Sequence, residues 1–260
     1  IGIIGLGSIG IKHIEELLQL GVSQFFALRT GKGAKKSPES LDDYLTNIYN
    51  EKEFLNLNMD GYIIANPTSL HIQALNLICS KNKPVFVEKP ICHTLEELEK
   101  LKPINTGLIQ FGFCLRFHEL TIAIKEIIES NRLGDIYHSR LNVGQYLPSW
   151  HPYADYRTEY FSIQKLGGGA IRTLSHELDL ALHFFGTPNS HKSLQTKVSN
   201  LEIDVDDYSL VLLQYDNHIS RIEMNFIAKK SERKGKEIEI YEKMVMRSLF
   251  GNINASRNSA

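Results

Sequence analysis

Gly5, Gly7 and Gly10 stand in a GxGxxG spacing, with Ser8 and Ile9 between the last two, directly behind the apolar run IGII. At a strand-to-helix turn such glycines have separate physical tasks. One allows the tight turn, one lets a pyrophosphate approach the backbone, and one permits close packing of helix on strand, while the free N–H groups of the helix start face the phosphates. The competing reading is a glycine-rich turn without a ligand. About 20 residues further on, where a ribose-binding acid stands in NAD-binding versions of this turn, the chain reads ALRTGKGAKK and places Arg29 and Thr30. With Lys32, Lys35 and Lys36 close behind, this stretch suits a 2'-phosphate, because a guanidinium can stack on adenine and pair with phosphate. The alternative is an ordinary basic surface loop.

Two further groups carry polar chemistry. Glu88, Lys89 and Pro90 end the apolar run PVFVEK, so the lysine projects at the carboxyl end of a strand, where open α/β sheets bind ligands. His176, Asp179 and His183 fall at helical offsets of three and four, so a carboxylate can orient an imidazole there. Three polar groups satisfied inside an interface is the other reading. A metal site is disfavoured, since the chain offers neither HExxH nor a cysteine partner at this helix.

The elements that must hold these residues follow from periodicity. Short apolar runs at 1–5, 24–29, 61–66, 84–89 and 107–113 read as strands buried on both faces, alternating with amphipathic helices in the manner of a parallel sheet. Ile11, Ile14, Leu17 and Leu18 share one helical face, as do Leu70, Ala74, Leu77 and Ile78. Thr94 and Glu97 form a capping box opening a further helix. From about residue 119 a long amphipathic helix with Ile124, Ile127 and Ile128 on one face is expected to stop at Gly134. DIYHSRLNVGQY, YSLVLLQYDN and HISRIEMNFIA then read as longer alternating strands, with Asp216 and Asn217 in a hairpin turn. Residues 229–237 read as a charged loop and YEKMVMRSLF as a helix. The fold class is α/β: a Rossmann dinucleotide-binding domain over 1–115, then an α+β domain over 116–260 with a large, mostly antiparallel, open-faced sheet.

GxGxxG, the NPTSLH segment from Asn66 to His71 and the EKP tripeptide together resemble the glucose-fructose oxidoreductase and inositol dehydrogenase (Gfo/Idh/MocA) family over nearly the whole chain. The resemblance implies a catalytic role for Lys89, which would polarise the reacting hydroxyl or share its proton, with Glu88 fixing it. It implies that Asn66, Pro67, Thr68 and His71 pass beside the nicotinamide ribose, and that Arg116 matches the family's arginine at the start of the second domain, an interdomain salt bridge being the other reading. The segment GGGAIRTLSHELDLALHFFG is similar to the helix that points the family's active-site histidine, here His176, at the nicotinamide. Where many members carry an aspartate four residues before that histidine, this chain has Arg172, with Thr173 next, so proton transfer falls more heavily on Lys89 and His176. A subgroup associated with bacterial surface-sugar biosynthesis is the nearest match, through WHPxxDYR and SHELD. In SWHPYADYR, Trp150, His151, Tyr153, Tyr156 and Arg157 offer aromatic faces and donors to a polar sugar, or serve as a loop anchor. Of these, Trp150, His151, Tyr156 and Arg157, together with Lys89, Arg172, His176 and Asp179, form the expected substrate set.

Composition sets outer bounds. With 29 basic and 30 acidic side chains the net charge is -1, which excludes a strongly basic nucleic-acid binder, and 42% hydrophobic with 23% charged residues is globular. No apolar run approaches the roughly 20 residues of a membrane span. The three cysteines, Cys79, Cys92 and Cys114, show no paired spacing and read as buried small hydrophobes in a reducing, cytoplasmic setting. The chain opens on Ile1, so further residues are expected before it, and its C-terminal part is shorter than the resemblance implies. The expected function is hydride transfer between NADP or NAD, NADP favoured, and a hydroxyl or ketone carbon of a sugar or sugar derivative, with no metal, nucleic acid or membrane partner. A cofactor-binding protein without turnover is the alternative. Because both faces of YSLVLLQYDN and HISRIEMNFIA read as apolar, a homodimer or homotetramer built on the open sheet face is expected.

Overall fold

The computed structural model describes residues 1–31, 38–151 and 153–228 with their side chains, and the strands Lys236–Tyr241 and Val245–Phe250 by their backbone. The chain clusters into two compact units, Ile1–Gly112 with Lys165–Gly167, and Phe113–Gln164 with Gly168–Ala260.

In the first unit β1 (Gly2–Ile4), β2 (Phe25–Leu28), β3 (Leu45–Ile48), β4 (Tyr62–Ile64), β5 (Val85–Val87) and β6 (Ile109–Phe111) form a parallel sheet in the order β3-β2-β1-β4-β5-β6. Alternation along the strands divides their side chains between two layers. Ile3, Phe25, Ala27 and Ile63 pack with Ile14 of helix α1 (Ser8–Gln19). On the opposite face Ile4, Ile64 and Val87 pack with Phe54 of α2 (Glu51–Asn56) and with Ile72, Leu75 and Ile78 of α3 (His71–Ile78). The strand order reverses between β1 and β4, which leaves a crevice at their carboxyl ends.

Several expectations need correction here. β3 was not foreseen, and β6, at the edge of the sheet with no strand on its outer side among the described residues, is only half-buried with Gln110 exposed. Leu70 lies outside α3 and is 39% exposed; the buried face runs instead through His71, Ile72, Ala74, Leu75 and Ile78. At α4 (Leu95–Leu98) Thr94 Oγ1 accepts from the Glu97 amide at 3.2 Å, but the Glu97 carboxylate turns to His93 rather than back to Thr94. Cys114 is exposed and Cys79 and Cys92 are half-buried, so the reading of all three as buried hydrophobes fails.

The second unit holds β7 (His138–Gly144), β8 (Ser190–Thr196), β9 (Tyr208–Gln214), β10 (Ile219–Asn225), β11 (Lys236–Tyr241) and β12 (Val245–Phe250) in the order β12-β11-β7-β10-β9-β8. Neighbours pair antiparallel except β7 with β10. Leu141, Val143, Val211, Leu213, Ile222 and Met224 face inward in register and pack on Leu180, Ala181 and Phe184 of α7 (His176–Phe185), beside α5 (Glu119–Glu129) and α6 (Ala170–Thr173). The outward face is not largely apolar as expected. Arg140 stands beside Arg221, which binds Glu223 at 2.8 Å, among the exposed Leu194, Leu212 and Ile219. α5 stops at Ser130, with Asn131 taking φ 52, four residues before the break expected at Gly134. The last part of YEKMVMRSLF is strand β12 rather than helix, because β11 supplies a pairing edge, and residues 229–235 of the expected charged loop lie outside the described residues.

At the hairpin between β9 and β10 the Tyr215 amide donates to the His218 carbonyl at 2.9 Å. The His218 ring stacks on Tyr215 and reaches Ser139 Oγ at 2.9 Å, while Ser139 and Ser220 meet at 2.7 Å. Burial pushes this imidazole from 6.5 down to about 4, with the charge of His138 acting in the same direction. Between those two values the unfolded chain binds the proton and the native one does not, so stability falls as the pH drops. Urea unfolding should therefore be flat above roughly pH 6.5 and lose up to about 3 kcal/mol towards pH 4. In His218→Gln that slope should be visibly shallower.

Candidate active site

Behind β1 the chain turns at Gly5 with φ +100, and a Cβ there would lie 2.2 Å from the Asn66 nitrogen. A Cβ on Gly10 would lie 2.3 Å from the Gly5 carbonyl oxygen, whereas one on Gly7 would meet nothing within 4 Å. The first and third glycines thus serve packing, and the second faces open space. Gly7 caps α1 with no side-chain hydrogen bond, so the helix start, where Ser8 and Ile9 lie, presents its amides and its positive dipole end. This cradle fits a dinucleotide's pyrophosphate. At the end of β2, Arg29 is held by its amide to the Ile48 carbonyl at 2.8 Å and by Nη1 to Asn47 Oδ1 at 3.2 Å, with Thr30 next. Lys32, Lys35 and Lys36 lie outside the described residues.

Two further turns leave the same end of the sheet. After β4, Asn66 donates weakly to the Leu70 carbonyl at 3.4 Å, Pro67 precedes a single helical turn Thr68–Leu70, and Thr68 is buried. His71 is 1% exposed, its Nδ1 2.8 Å from the Pro90 oxygen and its Nε2 2.9 Å from the Asn66 oxygen, so the ring ties this turn to the turn after β5. Burial pushes the imidazole below its ordinary value; the two carbonyls, then Glu88 and Glu97, act the other way. After β5, Glu88 Oε2 accepts from the Lys89 amide at 3.2 Å and Oε1 lies 2.8 Å from His13 Nε2. Sequence reading missed His13. Its place three residues behind Gly10 on α1 is visible in the chain, but nothing local links it to a carboxylate at position 88.

In the second unit Arg116 grips Asp179 through Nε at 2.8 Å and Nη2 at 2.5 Å, and lies 5.8 Å over the Phe113 ring, whose edge meets His176 at 6.0 Å. Both partners of this ion pair lie in one unit, so it is not the interdomain bridge considered above. Asp179 is buried and takes the arginine fork instead of orienting an imidazole. The His183 ring is held below its ordinary value by burial and by Arg116 and Lys125. Arg172 donates from Nη1 to the Gly168 carbonyl at 3.0 Å and borders a hollow of about 400 Å³ together with Gln164, Lys197, Asp204 and Asp206. Trp150 stacks on Phe161 at 4.8 Å, and His151 on Tyr153 at 5.4 Å. The Tyr156 hydroxyl accepts from the Glu202 amide, and Arg157 is engaged by Asp155 and Glu202. Among the described residues no group of three or more His, Cys, Asp or Glu side chains is placed to hold a metal, and no helix is long and apolar enough to cross a membrane.

Residues 1–106 match the oxidoreductase family with an NAD-binding Rossmann fold, and residues 121–243 match the Gfo/Idh/MocA C-terminal domain. The chain belongs to the Gfo/Idh/MocA family. It is 25% identical to the myo-inositol 2-dehydrogenase of Thermotoga maritima over 191 residues, 72% of this chain and 54% of that one. To the scyllo-inositol 2-dehydrogenase (NAD(+)) of Bacillus subtilis it is 29% identical over 170 residues, 61% of this chain and 46% of that one. The chain thus spans about half the length of these curated Gfo/Idh/MocA relatives. In fold it is similar to the WlbA dehydrogenase of Bordetella pertussis, solved in complex with NADH and UDP-GlcNAcA, with a TM-score of 0.80 at 21% identity over 95% of this chain and 76% of that one.

The two glycine roles separate experimentally. Gly5→Ala should lower stability by more than about 2 kcal/mol, through left-handed backbone strain and the clash with Asn66. Gly7→Ala should leave the unfolding midpoint in place and weaken NADH binding, as read by fluorescence titration.

Proposed function

We propose that this chain acts as an NAD(P)-dependent oxidoreductase that interconverts a hydroxyl and a ketone on a sugar or sugar derivative, a sugar nucleotide of surface-glycan biosynthesis being the specific form. The observation that carries the reading is the convergence of three turns at the carboxyl ends of adjacent strands: the glycine loop after β1, the Asn66 turn after β4 and the Glu88–Lys89 turn after β5. Inositol dehydrogenases among the relatives and WlbA among the structural neighbours support the substrate class.

Oxidising a CH–OH group removes a hydride from carbon and a proton from oxygen. When bound, the dinucleotide supplies the hydride acceptor. Gly7 and the start of α1 would hold its phosphates and Arg29 and Thr30 its ribose, Asn66, Pro67, Thr68 and His71 would line the nicotinamide side, and Arg116 steadies α7 through Asp179. Lys89 in its neutral form takes the hydroxyl proton, and as the ammonium returns it in the reverse direction. Within the second unit His176 is the candidate hydrogen-bonding group for substrate, and Trp150, His151, Tyr156, Arg157 and Arg172 are the candidate sugar contacts. Arg172 also motivates a second reading, a cofactor binder without turnover, since its side chain is engaged by the Gly168 carbonyl where many members offer an acid. Formation of NADPH or NADH with a panel of polyols and sugar nucleotides separates the two. A homodimer through the outward sheet face belongs to the first reading on the narrower footing of Leu194, Leu212 and Ile219, and light scattering reads it.

Lys89→Met should lower turnover by at least ~100-fold with cofactor affinity retained, the scale of a general acid–base group, and Lys89→Arg should fail equally because a guanidinium keeps its proton. Unchanged turnover in either variant would move the chemistry elsewhere. Calorimetry should show NADP binding more tightly than NAD, with the difference lost in Arg29→Ala. Tighter binding of NAD would reverse the assignment of the 2'-phosphate site.

A further inference from the structure

Lys89 stands between two residues that are each held by an imidazole: Glu88 by His13 and Pro90 by His71. His71 belongs to the neighbouring turn, but His13 comes from α1, the helix whose start forms the phosphate cradle. The His13 ring packs edge-on against Phe86 of β5 at 5.0 Å, and its Nε2 meets Glu88 Oε1 at 2.8 Å. An ionised carboxylate only accepts, so Nε2 carries the hydrogen and donates it. The other oxygen of Glu88 accepts from the Lys89 amide at 3.2 Å. A Cβ at Gly112 would stand 3.0 Å from that oxygen, so the carboxylate is walled in on its remaining side by a backbone that has no side chain. His13 and Glu88 are 23% and 16% exposed, low enough that solvent competes poorly for the bond.

We propose that His13 is a positioning residue: by donating to Glu88 it fixes the carboxylate that orients the Lys89 turn, and so makes the phosphate-binding helix and the acid–base lysine one rigid element. A staple that merely stabilised the fold would leave the lysine's protonation and the chemical step alone. A positioning residue moves both, since misplacing a reacting group by an ångström can cost up to about 100-fold in rate. The inference rests on the reading of Lys89 given above.

The test uses the full chain with its lysines carrying ¹³C-methyl groups, the Lys89 resonance being identified by its loss in Lys89→Met. In His13→Ala and in Glu88→Gln the Lys89 titration midpoint should move by about 0.5 pH unit or more, and the double variant should move it no further than either alone. His13→Gln, which keeps an N–H donor, should return it most of the way. With the best substrate of the panel, His13→Ala should lower kcat at least ~10-fold while the NADPH dissociation constant stays within ~2-fold. A wild-type Lys89 titration in His13→Ala, or additive shifts in the double variant, overturns the proposal, and should His13→Ala not fold, Glu88→Gln and His13→Gln decide it by the same titration. An inactive Lys89→Met beside a fully active His13→Ala defeats this inference alone, whereas an active Lys89→Met defeats the reading of Lys89 itself.

Discussion

The backbone of Gly5 lies so close to that of Asn66 that a single added carbon would stand 2.2 Å from the Asn66 nitrogen. That approach joins the end of β1 to the end of β4 across the reversal in strand order, and it is available only to a residue without a side chain at φ +100. From it follow the direction in which α1 leaves the sheet and the seat of Gly10 on the Gly5 carbonyl. The open space above Gly7 follows as well. Catalysis in such a fold needs loops held in fixed register at one end of a sheet, and here the register is set by main chain on main chain, before any side chain contributes.

Side chains then lock the remaining turns, and carboxylates do much of it by accepting from amides. Glu88 takes the Lys89 amide, and Asp206 takes the Ile171 amide and the Ser209 hydroxyl at the start of α6. Asp207, fully buried, takes the amides of Val198 and Ser199 at 2.7 and 3.0 Å. A buried carboxylate needs several donors to offset its desolvation, and Asp207 finds them where two consecutive amides converge. Asp179 solves the same problem with an arginine fork.

What could be read in the chain and what could not divide along physical lines. β1, β2, β4 and β5 announce themselves because strands covered on their faces must be nearly continuous apolar runs. β3, with Leu45-Thr46-Asn47-Ile48, and β8, whose side chains are almost all exposed, carry no such signal: they are held by backbone pairing to a neighbour, and pairing leaves no periodicity. The same holds for β12, whose pairing with β11 overrides a sequence that reads equally well as helix. At the site, the glycine loop, the Asn66 segment and the Glu88–Lys89 turn are written as local spacing and were found. The partners of His13 and Arg116 lie 75 and 63 positions away, and a single sequence offers no means to pair them.

The uneven exposure of the three thiols gives the molecule a natural handle. Cys114 is open to solvent, whereas Cys92 is half-buried and its thiol is pushed up by that burial, which suppresses the reactive thiolate. A maleimide dye added at neutral pH will therefore couple first at Cys114, two positions before the arginine that grips Asp179 and in the same helical turn, Cys114–Phe117. The unaltered chain thus carries a built-in address for a fluorophore beside α7, and binding at that helix can be followed by emission without engineering a new cysteine.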